Sequence, residues 1–214
     1  MDITFNSCLS NQFLMLDSNK NSTRSPMITL ELHSYIKDLC QSYLGIDYEV
    51  ICQDSKEYKA NGIFSLKNLD IAILKNNEPV GAIEVKAIRQ SYNKNANNYF
   101  ENMIGETANL RLAGIKVCQV ILLPDIVWDS SKLEYQTNGD TQLLKYKKLM
   151  DLDITQSIRP NKLLLWYVSV DYNTYEVYQS NYNTINDKNL KLFLQNMYNY
   201  IKILKDFCDE IKGE

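Results

Sequence analysis

Apolar positions along the chain follow two periods, and the switches between them mark out the elements. Between residues 27 and 44, Ile28, Leu32, Tyr35, Ile36, Leu39 and Tyr43 recur at helical spacing, and Gly45 ends the stripe. Residues 48–52 read as a strand and 53–68 as a polar connection through Gly62. The apolar runs 69–74 and 80–86, joined by Asn76, Asn77, Glu78 and Pro79, read as a strand hairpin. Residues 95–113 place Ala96, Phe100, Met103, Thr107 and Leu110 on one helical face, with Gly114 as the cap. The run 117–123, stopped by Pro124, suits a buried strand. Residues 125–162 are mixed and charged. Another apolar strand spans 163–170, with 175–178 as its partner across a turn at 171–174. A helix over 187–211 closes the chain, striped by Leu190, Phe193, Leu194, Met197, Ile201, Leu204, Phe207 and Cys208. Residues 1–26, rich in Asn and Ser, read as an arm or lead-in.

The hairpin carries charge where apolar residues belong. Asp70, Glu84 and Lys86 interrupt otherwise hydrophobic strands, and a buried charge costs several kcal/mol unless it is compensated. Strand alternation puts Ala82, Glu84 and Lys86 on one face. With a three-residue turn over 76–78, pairing is symmetric about Asn77 and Asp70 lies opposite Glu84, with Cβ atoms about 5 Å apart. A two-residue turn at Asn76 and Asn77 would put Asp70 opposite Ile83 instead. Two carboxylates that close repel unless a cation sits between them, which points to a divalent metal and a phosphodiester.

Composition narrows the alternatives. The 214 residues suit one domain, and a net charge of −3 gives no global nucleic-acid signature. Five cysteines without a CxxC pair read as reduced, mostly buried thiols of a cytoplasmic protein. No signal peptide is evident, and no apolar run approaches the roughly 18 residues of a membrane span. The one histidine, His33, falls inside the first helical stripe without a motif around it, which argues against histidine-based hydrolysis. No Gly-rich phosphate loop occurs.

The order helix, strand, strand, strand, helix, strand, with Asp70 on the second strand and Glu84-Val85-Lys86 on the third, resembles the PD-(D/E)XK nuclease superfamily over residues 27–123. Leu69 stands where the family name has proline. That proline supplies no metal ligand, so the chemistry is untouched. The compact size and added C-terminal strands look like a type II restriction endonuclease. The resemblance implies an α/β fold: an αβββαβ core with a central mixed sheet flanked by helices, plus extra C-terminal strands and a helix. It also divides the chain into an arm (1–26), a catalytic core (27–123), a recognition insertion (124–162) and C-terminal strands and helix (163–214).

Phosphodiester hydrolysis needs an activated water and a site that absorbs negative charge, and Mg²⁺ (or Mn²⁺ in its place) supplies both in part. Asp70, Glu84 and the backbone carbonyl of Val85 are the expected ligands, because Mg²⁺ prefers oxygen. Lys86 is expected to orient the attacking water; the alternative is an ion pair with Glu84. Glu31, on the flank of the first helix, matches a helix glutamate that reaches the water in many relatives; the alternative is a solvated carboxylate. Glu101 and Glu106 are further candidates on the second helix, and Asp125, after Pro124, is set aside as a decoy. DNA contacts are expected from Arg89, Gln90, Tyr92, Asn93 and Lys94 after the catalytic strand, and from Lys145, Lys147 and Lys148. The alternative for the last three is a solvated helix face. A palindromic site is most simply cut by a homodimer on double-stranded DNA. The rival functions are a structure-specific or defence nuclease and an inactive DNA-binding subunit.

Overall fold

The computed structural model describes residues 5–18, 27–52, 58–129 and 132–213. Its centre is a six-stranded mixed sheet, ordered β1 (Glu49–Cys52), β4 (Ile71–Lys75), β5 (Glu78–Ala87), β6 (Lys116–Pro124), β9 (Lys162–Val170), β10 (Val177–Gln179). β1, β4 and β5 pair antiparallel; β5, β6 and β9 run parallel; β10 returns antiparallel. Parallel neighbours on both sides demand cover on both faces, so β6 is a nearly unbroken apolar run, buried from Val117 to Pro124. Six helices occur among the described residues, and they supply that cover, so the molecule is α/β.

α1 (Phe5–Ser18), α2 (Met27–Leu44) and α6 (Tyr200–Lys212) pack on one face, where Phe5, Leu32, Ile36 and Phe207 meet Ile71, Ile83, Val120 and Trp166. α3 (Tyr92–Arg111), α4 (Asp140–Met150) and α5 (Lys188–Met197) cover the other, against Ile121, Leu163 and Leu165. Two small hairpins, β2 (Tyr58–Asn61) with β3 (Leu66–Leu69) and β7 (Ile126–Asp129) with β8 (Glu134–Thr137), stand apart from the main sheet. No helix of the described residues is long and apolar enough to cross a membrane.

Four expectations change. The proposed arm contains α1, whose Phe5, Cys8 and Leu9 are buried in the core; residues 19–26 lie outside the described residues. The connection expected at 53–68 holds the β2–β3 hairpin. The region read as an insertion contributes α4, which buries Leu143, Tyr146 and Leu149. The closing helix is two helices: Asn199 caps α6 by accepting from the Lys202 amide, and the break carries the chain from one face of the sheet to the other. Most of the C-terminal stripe is therefore used within the chain, while Ile201 stays 50% exposed. Leu190, Leu194, Leu204, Phe207 and Cys208 are all buried.

Candidate active site

The hairpin turns differently from the symmetric expectation and still arrives at the same register. Asn76 and Asn77 form a two-residue turn with positive φ (52° and 65°), the backbone that suits tight hairpins and that Asn tolerates. Leu74 faces Pro79, but Ile73 faces Gly81, so Val80 is an extra residue bulged out of β5. The bulge restores the pairing that the shorter turn would have lost. Ile71 faces Ile83, and one more step along that register brings Asp70 beside Glu84.

Asp70 sits at the junction of β3 and β4, where the chain leaves the small hairpin for the main sheet. Its Oδ2 accepts from the Val85 amide at 2.8 Å. A strand residue sends its N–H and C=O out on the same side, so the Val85 carbonyl also leaves β5 toward Asp70, beyond the end of β4. Glu84 is 5% exposed, and its Oε1 has no hydrogen-bond partner among the described residues. Its Oε2 pairs with Lys67 Nζ at 3.1 Å, and the same ammonium lies 3.0 Å from Glu106 Oε1. Burial, then the neighbouring Asp70 carboxylate, push the Glu84 carboxyl up to about 8, against the pull of Lys67. Burial opposes the charge on Lys67, but Glu84 and Glu106 outweigh it and hold its pKa above the ordinary lysine value.

These groups line a cavity of about 120 Å³ that Lys86 also reaches, walled on the α3 and α4 side by Met103 and Tyr146. Beneath it, Gln119 of β6, the partner of Glu84 in the ladder, donates from Nε2 to Thr107 Oγ1 at 3.1 Å. The structure thus brings Asp70, Glu84, Val85, Lys86 and Glu106 to one place. It does not bring Glu31 there. That carboxylate is on α2, across the sheet, and accepts from Asn11 Nδ2 at 3.0 and 3.1 Å. Asp125 is buried away from the cavity and accepts from Ser169 and Ser180. Glu101 is exposed on α3 and is not part of the cavity lining.

Among the described residues no group of three or more His, Cys, Asp or Glu side chains is set to hold a metal ion. A hard cation with few protein ligands needs less than that. Two carboxylates, one with a buried oxygen that has no partner among the described residues, and the backbone carbonyl of Val85, on the Asp70 side of β5, make an oxygen donor set that fits Mg²⁺.

The residues expected to touch DNA divide. Lys94 and Lys148 are exposed. Gln90 bridges to Trp128, and Asn93 Nδ2 donates to Gln136 Oε1 at 3.1 Å, so both help seat the β7–β8 hairpin. Arg89 is half-buried, and burial lowers its pKa. Tyr92 is fully buried, its hydroxyl donating to Tyr146 Oη at 3.2 Å, which makes it a packing residue rather than a DNA contact. Lys145 Nζ donates to the Ala96 carbonyl at 2.6 Å, and Lys147 pairs with Asp151 at 2.6 Å, so their charges are partly committed within the chain.

Lys67 is the cavity residue that sequence reasoning missed. It lies in a short polar segment without periodicity, and its distance of three residues from Asp70 is the sole signal. The chain matches no family model, no curated protein and no solved structure.

Proposed function

We propose that this protein is a Mg²⁺-dependent endonuclease that hydrolyses phosphodiester bonds in double-stranded DNA at specific sites. The observation that carries the reading is the pair Asp70 and Glu84, held side by side at the end of a strand hairpin, with a buried oxygen of Glu84 unpartnered among the described residues. Such a pair is costly in a fold and useful to a cation. The connectivity α2–β1–β4–β5–α3–β6, with β4 and β5 antiparallel and β5 and β6 parallel, supports a restriction-endonuclease-like core around it. Five free, buried cysteines suit the cytoplasm.

Asp70, Glu84 and the Val85 carbonyl would hold the cation, which when bound supplies positive charge against the phosphate. The Val85 amide orients Asp70 by donating to one of its oxygens. Lys86, exposed on the same face as Glu84, presents an ammonium to the phosphate and the attacking water. Met103 and Tyr146 keep one wall of the cavity dry, which strengthens each of these interactions.

Incubation with phage DNA and Mg²⁺ tests the reading. Discrete fragments are expected; a smear means cleavage without sequence choice, and intact DNA with Mg²⁺ and with Mn²⁺ rules out the nuclease. Asp70→Asn and Lys86→Ala should each lower turnover by about a hundredfold or more, with DNA binding retained in gel-shift assays. Unchanged turnover in Lys86→Ala would remove that lysine from the chemistry.

A further inference from the structure

Lys67 occupies the position that a cation at Asp70 and Glu84 must contest. Its ammonium lies 3.1 Å from Glu84 and 3.0 Å from Glu106, so one lysine already occupies the cavity side of the buried Glu84 carboxyl group. A divalent ion bound by Glu84 would put like charges within a few ångströms of each other, and at that range repulsion is strong in a partly buried site. The backbone beneath Lys67 has little freedom to yield. Asn109 of α3 accepts from the Phe64 and Ser65 amides at 2.8 and 3.2 Å and donates to the Ser65 carbonyl at 3.0 Å. A side chain at Gly62 would collide with the same carboxamide. The Lys67 side chain, by contrast, has four flexible torsions and a second carboxylate already in reach.

We propose that Lys67 is a built-in competitor for the metal ion: it holds Glu84 while the site is empty of metal, and moves wholly to Glu106 when a divalent ion binds. Glu106 is then a positioning residue that acts through Lys67, not a ligand. This inference rests on the proposed cation site. Its consequence is that the apo protein stays folded around an acidic pair, and that metal affinity is set below what the donors alone would give.

Calorimetric titration of the full chain with Mn²⁺, without DNA, separates the possibilities. Lys67→Met should bind Mn²⁺ about tenfold tighter than the parent protein, and binding by Lys67→Met alone would also support competition. Glu106→Gln, which removes the retreat, should weaken binding. Added to Lys67→Met, it should change nothing, whereas a ligand role for Glu106 would persist in the double variant and overturn the assignment. Equal or weaker binding by Lys67→Met overturns the competitor role and leaves the cation site standing. Binding by neither protein removes both. Should Lys67→Met fail to fold with Glu84 unpaired, Lys67→Arg takes its place. A guanidinium grips a carboxylate through two parallel bonds, so its Mn²⁺ affinity should fall, and an unchanged or higher affinity overturns the proposal.

Discussion

Glu84 combines deep burial, an acidic neighbour and a single ammonium partner, and the first two outweigh the third. Its folded value of about 8 lies above the 4.5 of an unperturbed glutamate, so the native state takes up a proton between those limits. By linkage, the stability that Glu84 contributes is fully present below about pH 4.5, declines as pH rises, and is lost above about 8. Urea unfolding with a chelator present should therefore show the parent protein losing stability across that window relative to Glu84→Gln. A flat difference between the two would mean that Glu84 is ionised in the fold throughout. Saturating Mn²⁺ should reverse the trend, because the ion binds the carboxylate and not the acid. At this scale the sequence was readable where charge broke an apolar pattern, as at Asp70, Glu84 and Lys86. Glu106 could be named only together with Glu101, which stays exposed, and nothing in the pattern singled out Lys67 as a residue that turns inward.

The hairpin of β4 and β5 depends on a detail that hydrophobic alternation cannot register. Alternation fixes which face a residue takes, but the residue opposite it depends on turn length and bulges together. Here a two-residue turn and the bulge at Val80 compensate, and Asp70 meets Glu84 as a longer turn would also have arranged. Deleting Val80 removes the bulge while keeping Ile73 opposite Gly81, so cleavage by the deletion variant should stay near the parent rate. A drop of about a hundredfold, the scale of a 1 Å misplacement at a catalytic group, in a protein with an unchanged circular dichroism spectrum would show that the bulge aims the carboxylates through the twist it adds. The C-terminal helices teach the same lesson. Their apolar stripe runs on past Tyr198 at helical spacing, so periodicity alone joins them. What divides them is a capping asparagine and the presence of two faces to cover, and the second of these exists only in the assembled sheet.

For the whole molecule, the net charge of −3 means that any grip on DNA must come from a local face. Composition could not locate that face, because lysines that look equivalent in sequence differ once folded. Lys147 is paired with Asp151 four residues on, and Lys145 is drawn onto α3. Lys94 and Lys148 remain exposed, on α3 and α4, the two helices that wall the cavity on the Glu84 side of the sheet. If a duplex lies across the cavity mouth, these two should neutralise phosphates and release counterions as they do so. Fluorescence anisotropy with the Asp70→Asn variant, which binds without cutting, should then show Lys94→Ala and Lys148→Ala each lowering the slope of log affinity against log salt by about one. Lys147→Ala should lower that slope by less, since its charge is partly offset by Asp151. Equal slopes for all three would place the DNA on another face of the molecule, away from the helices that close over Glu84.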